Sequence, residues 1–293
     1  MVVISLLYQL RSKVESRAVD GSKIEIISME PGLVKGYRVA FNLRALPPIE
    51  PSMASIEPVK DPKALCLTHE GALHANGDLT CHGALITLKP DMYHKLFLSE
   101  SGGKETSGYM ELVVTVEPYD ESKEPVQAIA FTTKPEARLP QDFSPSARYM
   151  SLLVEGAHEL GLDQNFQNWL QTHPVQRVPY VLRKIALNNM FFTFPLMMFL
   201  PKLRIVGTFQ SWLVWSVYVP TKETTPVLTQ FVSNIAMGGV LLPGAFIGYL
   251  LRLATQLSGK SPPKMMQTML DWEDPPLIAG HRGVGPFFKK VFQ

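Results

Sequence analysis

Apolar and polar positions alternate through much of the first 175 residues, and long uncharged stretches take over beyond them. From Tyr109 to Glu117, residues Met110, Leu112, Val114 and Val116 share one side while Glu111, Thr115 and Glu117 share the other, which is the period of a half-buried strand. Gly36–Phe41, Leu79–Leu88 and Val126–Thr132 read as further strands. Met1–Leu7 lacks the basic lead and small-residue cleavage site of a secretory leader and reads as the first strand. The stretch Leu46-Pro47-Pro48-Ile49-Glu50-Pro51 is expected to be a loop, because proline has no N–H to give to a sheet.

Helical spacing replaces alternation at two places. Lys89-Pro90-Asp91 puts a proline and an acid where a helix N-terminus favours them, and predicts a helix running to about Glu100. Ser144-Pro145 predicts a second, in which Tyr149, Leu152, Leu153, Ala157 and Leu160 keep the i, i+3, i+4 spacing and Gly161 supplies the stop. Asp163 is placed to cap a short third helix through Trp169.

After Arg183-Lys184 charge nearly disappears: Ile185–Pro201 and Ile205–Thr221 are each 17 residues without one, and Thr224–Leu251 is 28. Within the last run Phe231–Leu251, 21 mainly apolar residues ending at Arg252, is long enough to cross a hydrocarbon layer of ~30 Å. Its Gly238-Gly239, Pro243-Gly244 and Gly248 suit helices packed in lipid, and Trp212, Trp215 and Tyr218 suit an interfacial position. Basic pairs flank the apolar runs on several sides, so charge asymmetry sets no orientation. The alternative is a second soluble domain in which these runs are buried core helices.

The whole chain has 293 residues, 46% hydrophobic and 18% charged, which supports a buried core and excludes a disordered chain. With only Cys66 and Cys81 there is no disulfide scaffold, and the thiols read as reduced, which suits a compartment such as the cytosol or an organelle stroma. A net charge of +2 gives no overall pull toward nucleic acid. Residues 1–180 carry 17 basic against 22 acidic side chains, and residues 181–293 carry 11 against 4, so an acidic first part adjoins a basic, apolar second part.

Dinucleotide fingerprint, P-loop and nucleophile elbow are all missing from the sequence. Ser101-Gly102-Gly103-Lys104-Glu105 has Glu where a phosphate loop needs Ser or Thr for the magnesium ion. His69-Glu70 with His74 is one residue off the i, i+4 spacing of a zinc helix, so no metal site is expected there, and His82, His94 and His158 read as surface or satisfied core histidines. Glu100 is the more informative acid. It ends the helix that Pro90 begins, beside the negative end of the helix dipole and before a Ser-Gly-Gly turn, where the neutral carboxyl is favoured and the carboxylate is a better base. A solvated glutamate at a helix end is the plainer reading of the same residue.

Four segments in order, over about 130 residues, resemble the γ-glutamylcyclotransferase fold, also known from avirulence-induced-gene-like proteins. They are Gly36–Asn42, His82–Ile86, Leu98–Gly102 followed by Gly108-Tyr109, and Pro145–Tyr149 leading to Gly156-Ala157 and Gly161-Leu162. The resemblance implies an α+β fold, a small mixed β-barrel with flanking helices, over roughly residues 1–175. An all-α hydrophobic, membrane-associated region (176–260) and a tail (261–293) would follow. It implies Glu100 as the general acid/base, Tyr149 directing its hydroxyl at the substrate and Tyr109 shaping the pocket wall, with no metal or organic cofactor. The implied substrate is a γ-glutamyl amine, γ-glutamyl amino acid or glutathione, closed to 5-oxoproline with release of the amine. Without the resemblance, Tyr149 reads as a core aromatic and Tyr109 as a strand-edge aromatic.

The sequence departs from the family pattern at its start. Members follow the first strand with a Tyr-Gly-Ser-Asn turn whose N–H groups hold the substrate carboxylate and the developing oxyanion, whereas this chain reads Ser5-Leu6-Leu7-Tyr8-Gln9-Leu10-Arg11. Loss of one such donor removes ~3 kcal/mol of transition-state stabilisation. A barrel that has lost its chemistry and serves as a membrane-anchored binding module is therefore the alternative expectation.

Overall fold

The computed structural model describes residues 2–5, 14–15, 18, 22–59, 80–100, 108–176, 178–199, 209, 212–213, 227–259 and 283–284. Five strands close a barrel in the order β1 (Val2–Ser5), β5 (Thr80–Leu88), β2 (Ile26–Lys35), β6 (Tyr109–Pro118) and β7 (Val126–Thr133). The sheet is mixed, because β7 returns to β1 in parallel through Val3 and Ile129 while the other neighbours are antiparallel. Strand β5 lies between β1 and β2 and is covered on both faces, so Cys81 and Leu85 join one core cluster while Ala84, Ile86 and Leu88 join another.

β3 (Tyr37–Leu46) and β4 (Glu50–Pro58) form a separate two-stranded sheet. The expected proline loop contracts here to a turn at residues 47–49, and Glu50 and Pro51 belong to β4. A two-stranded sheet has edges on both sides, so the missing N–H of Pro51 interrupts no central ladder. The remaining strand and helix expectations within the described residues hold to within a few residues. α1 spans Pro90–Ser99, α2 Ala147–Glu159 and α3 Gln164–Thr172, with Ser146 and Asp163 as side-chain caps of the last two.

Beyond a two-residue strand β8 (Val175–Gln176), which pairs with β9 (Gly283–Val284), come two long helices, α4 (Tyr180–Phe199) and α5 (Val227–Leu257). They pack against each other, and a third core cluster joins Leu182, Met237 and Leu241 to Ile49, Leu139 and Phe143. The helix pair is thus continuous with the barrel's packing near the β3–β4 turn. Phe231–Leu257 has a mean hydropathy of 1.6 and meets the length and composition needed to cross a membrane. Of the aromatic residues expected at an interface, Trp212 is exposed, whereas Trp215 and Tyr218 lie outside the described residues.

Candidate active site

Two of the three nominated residues meet on one backbone unit. Tyr149 is 2% exposed on the inner face of α2, and the N–H of Ala54 donates to its hydroxyl oxygen at 3.1 Å. Tyr109, first residue of β6, donates its own hydroxyl to the carbonyl of the same Ala54 at 2.8 Å.

The start of α2 explains why Tyr149 arrives there. Ser146 Oγ accepts the Tyr149 N–H at 3.0 Å and donates to Oε2 of buried Glu50 at 2.9 Å, while Arg148 Nε reaches Oε1 of Glu50 at 2.9 Å. Capping, ion pairing and burial act on one turn of helix. Since Glu50 and Ala54 both belong to β4, α2 grips that strand at two points.

A buried polar cluster borders the same strand, and sequence reasoning missed it. Oε1 of Glu57 accepts from Asn42 Nδ2 at 3.2 Å and from Thr132 Oγ1 at 3.3 Å, and its Oε2 pairs with Arg138 at 2.9 Å. Ser55 Oγ and Thr133 Oγ1 donate to Asn42 Oδ1 at 2.8 and 3.0 Å. Ser55 and Glu57 lie on the face of β4 that meets Thr132 and Thr133 of β7, so both are buried. The signal available was Asn42 in a run of apolar residues, with no exposed turn to account for it.

Glu100 is the C-cap of α1, its N–H donating to the carbonyl of Leu96 at 3.1 Å, and it is half-buried. A row of rings joins this helix to Tyr109: Phe97 stacks on Phe131 at 6.3 Å, and Phe131 meets Tyr109 at 6.2 Å. No described contact brings the Glu100 carboxylate to either tyrosine. At the other end of the row Tyr93 stacks on Phe97 and donates to Glu111; burial first, then that carboxylate, hold the Tyr93 phenol well above its ordinary range. The stretch at residues 6–11 where the family turn would lie, and the Ser101–Glu105 loop, are outside the described residues.

His82 is a satisfied core histidine, as read from the sequence. Tyr119 accepts the N–H of Asp163 at 2.9 Å and shares a hydrogen bond with Nδ1 of His82, whose Nε2 faces Thr80 Oγ1 at 3.2 Å, so both ring nitrogens have partners. Burial pushes the Tyr119 phenol up to about 12 and raises the Cys81 thiol far above its usual range, so Cys81 is no nucleophile. Among the described residues no group of His, Cys, Asp and Glu could hold a metal ion; His69, Glu70 and His74 lie outside them.

Residues 82–170, which include Glu100, Tyr109 and Tyr149, match the model of the AIG2-like family. Over 215 residues the chain is 24% identical to the gamma-glutamyl cyclotransferase gliK of Aspergillus fumigatus, covering 70% of this chain and 77% of that protein. Among solved structures, a gamma-glutamyl cyclotransferase aligns at TM-score 0.45 and 13% identity, over 63% of this chain and 96% of its own. A yeast gamma-glutamyl cyclotransferase specific to glutathione aligns at TM-score 0.40 and 12% identity, over 58% and 93%.

Proposed function

We propose that the protein is a γ-glutamylcyclotransferase-type lyase acting on a small γ-glutamyl compound, a reading supported by the match of residues 82–170 to the model of the AIG2-like family. The observation that carries the reading is the convergence of Tyr109 and Tyr149 on Ala54, with a row of rings leading from Tyr109 to the helix that ends in Glu100. In the proposed reaction Glu100 takes a proton from the substrate's α-ammonium group. The freed amine attacks the γ-amide carbonyl, the new N–C bond closes a five-membered ring, and the old C–N bond breaks as Glu100 returns the proton to the departing nitrogen. Atoms balance without water: the products are 5-oxoproline and the free amine. Holding amine and carbonyl together in one substrate makes the attack intramolecular, so the protein's main tasks are orientation and proton transfer. In this reading Tyr149 serves as donor to the substrate, and Tyr109 forms the pocket wall.

The membrane part of the proposal rests on Phe231–Leu257 and assigns the protein to a lipid surface, with its barrel in a reducing compartment. Release into the soluble fraction by alkaline carbonate would overturn an integral span.

The test is release of 5-oxoproline by the purified full chain in detergent, assayed with γ-glutamyl amines, γ-glutamyl amino acids and glutathione. Glu100→Gln is expected to lower turnover by about 10²–10⁴-fold while leaving the circular dichroism spectrum unchanged. Full turnover in that variant removes Glu100 from the mechanism. One feature favours a second reading, a barrel that binds γ-glutamyl compounds without turnover: Ser5–Arg11 lacks the Gly and Asn of the family turn. Binding by calorimetry with no product from any of the three substrate classes supports that reading instead.

A further inference from the structure

Helix α5 is inside out by the standard of a water-soluble helix. Its packing on α4 is close: a Cβ on Gly248 would meet the carbonyl oxygen of Asn188 at 1.7 Å, and one on Gly244 would meet Asn189 Oδ1 at 2.0 Å. Leu182 lies against Gly238 and Phe192 against Gly244 and Gly248, so the two helices run in the same direction. The buried positions of α5 are Ser233, Met237, Leu241, Gly244, Ala245 and Gly248, which share one side of the helix. From Phe231 to Leu253 the polar side chains other than Tyr249 are Ser233, Asn234 and Arg252, and at about 100° per residue all three project on that same inner side. Asn189 and Thr193 of α4 are buried as well.

The opposite side carries Val232, Ile235, Leu242, Phe246, Leu250 and Leu253, all exposed. In water the hydrophobic effect turns apolar side chains inward and polar ones outward; here the polar groups are gathered at the helix contact and the apolar groups face out. These six residues lie within about 80° of one another around the helix, and with exposed Ile247 and Tyr249 the outer arc widens to about 160°, whereas one packed helix needs a stripe of about 100°. At ~1.5 Å per residue the exposed run from Val232 to Leu253 is about as long as a bilayer's hydrocarbon layer is thick, ~30 Å.

Resting on the membrane reading above, we infer that the outer arc of α5, through Val232, Phe246 and Leu250, lies against lipid acyl chains, while its inner arc through Gly244 and Gly248 is a fixed contact with α4. The partner is the hydrocarbon of a bilayer, and the surface is this arc rather than the helix as a whole.

The experiment uses the full chain carrying Cys66→Ser, with Cys81 left in place because it is buried, reconstituted in phosphatidylcholine vesicles. Single cysteines replace residues 241–243, 245–247, 249 and 250 in turn, bear a nitroxide, and are tested for collision with oxygen, which concentrates in hydrocarbon, and with a water-soluble nickel chelate. Labels at 242, 246 and 250 are expected to show an oxygen-to-nickel ratio several-fold above one at exposed Ser122, and labels at 241 and 245 to resist both reagents. High nickel access at 246 and 250, in protein that still floats with the vesicles, overturns this assignment but leaves the membrane reading standing. Resistance to both reagents at 246 and 250 also overturns it, since a second copy of the chain then covers the arc. Protein that does not float at all overturns both.

Discussion

Glu50 and Arg148, 98 residues apart in sequence, form an ion pair in the interior: Nε and Nη2 of Arg148 each stand 2.9 Å from Oε1 of Glu50, whose side chain is 4% exposed. Removing one member of a buried pair strands the other, which costs far more than the pair contributes. Arg148→Met is therefore expected to lower unfolding free energy by about 3–5 kcal/mol, read as a shift of the urea midpoint. Adding Glu50→Gln should recover part of the loss. A single variant as stable as the parent would mean that water reaches Glu50.

The two tyrosines on Ala54 make unequal demands. Tyr149→Phe leaves a buried N–H without its acceptor and is expected to cost about 1–3 kcal/mol. Tyr109 is only partly buried, so water can serve the Ala54 carbonyl and Tyr109→Phe should cost about 1 kcal/mol or less. In the 5-oxoproline assay, Tyr149→Phe should lose more of kcat/KM than Tyr109→Phe. Equal losses in stability with no loss of turnover would make both residues purely structural.

What could be read from the sequence followed from how local each signal is. Asp163 caps α3 through Phe166 N–H within three residues, and the alternation of β6 repeats over its whole length, so both were legible. β2 was not. Its Pro31-Gly32 has the look of a turn, yet Gly32 sits in the barrel opposite Gly83, where a Cβ would come within 2.8 Å of Val116 Cγ1. That glycine answers to a neighbour 84 residues away, which no local pattern reports. Glu57 was hidden for the same reason, since the group that makes its face an interior one comes from β7. Tyr109 and Tyr149 were picked out through resemblance; that they bond to the backbone of one residue, Ala54, needed the fold.

Tyr119 gives the fold an alkaline limit. Its phenol ionises near pH 10 in the unfolded chain and is pushed up to about 12 in the folded one, burial being the main cause. A raised acid contributes stability below the unfolded value, and that contribution falls as pH rises from 10 to about 12. Urea midpoints are expected to be insensitive to this residue below pH 9 and to decline above pH 10, with a late phenolate absorbance step in the same range. Tyr119→Phe should remove that step and, by leaving His82 Nδ1 and the Asp163 N–H without their partner, lower stability already at pH 7. A phenolate step at ordinary tyrosine pH would mean that the ring is more open to water than its hydrogen bonds require.

Glu57 tests whether β4 is held in place from its covered face. Its carboxylate gathers Asn42, Thr132 and Arg138, while the neighbouring Ser55 ties the same strand to Asn42, so the strand that presents Ala54 to the tyrosines is fixed by charge-assisted bonds. Glu57→Gln keeps the shape but turns one acceptor oxygen into a donor that faces donors, and is expected to cost about 1–3 kcal/mol. Glu57→Leu also strands the Arg138 guanidinium, which is one-third exposed and can turn to water, so the larger part of its cost falls on Asn42 and Thr132. If the cluster positions the site through β4, both variants should lower kcat at temperatures where circular dichroism shows them fully folded, and Glu57→Asp should restore little because its shorter side chain cannot span to Arg138 and Thr132 together. Unchanged kcat in folded Glu57→Gln would confine the cluster to stability.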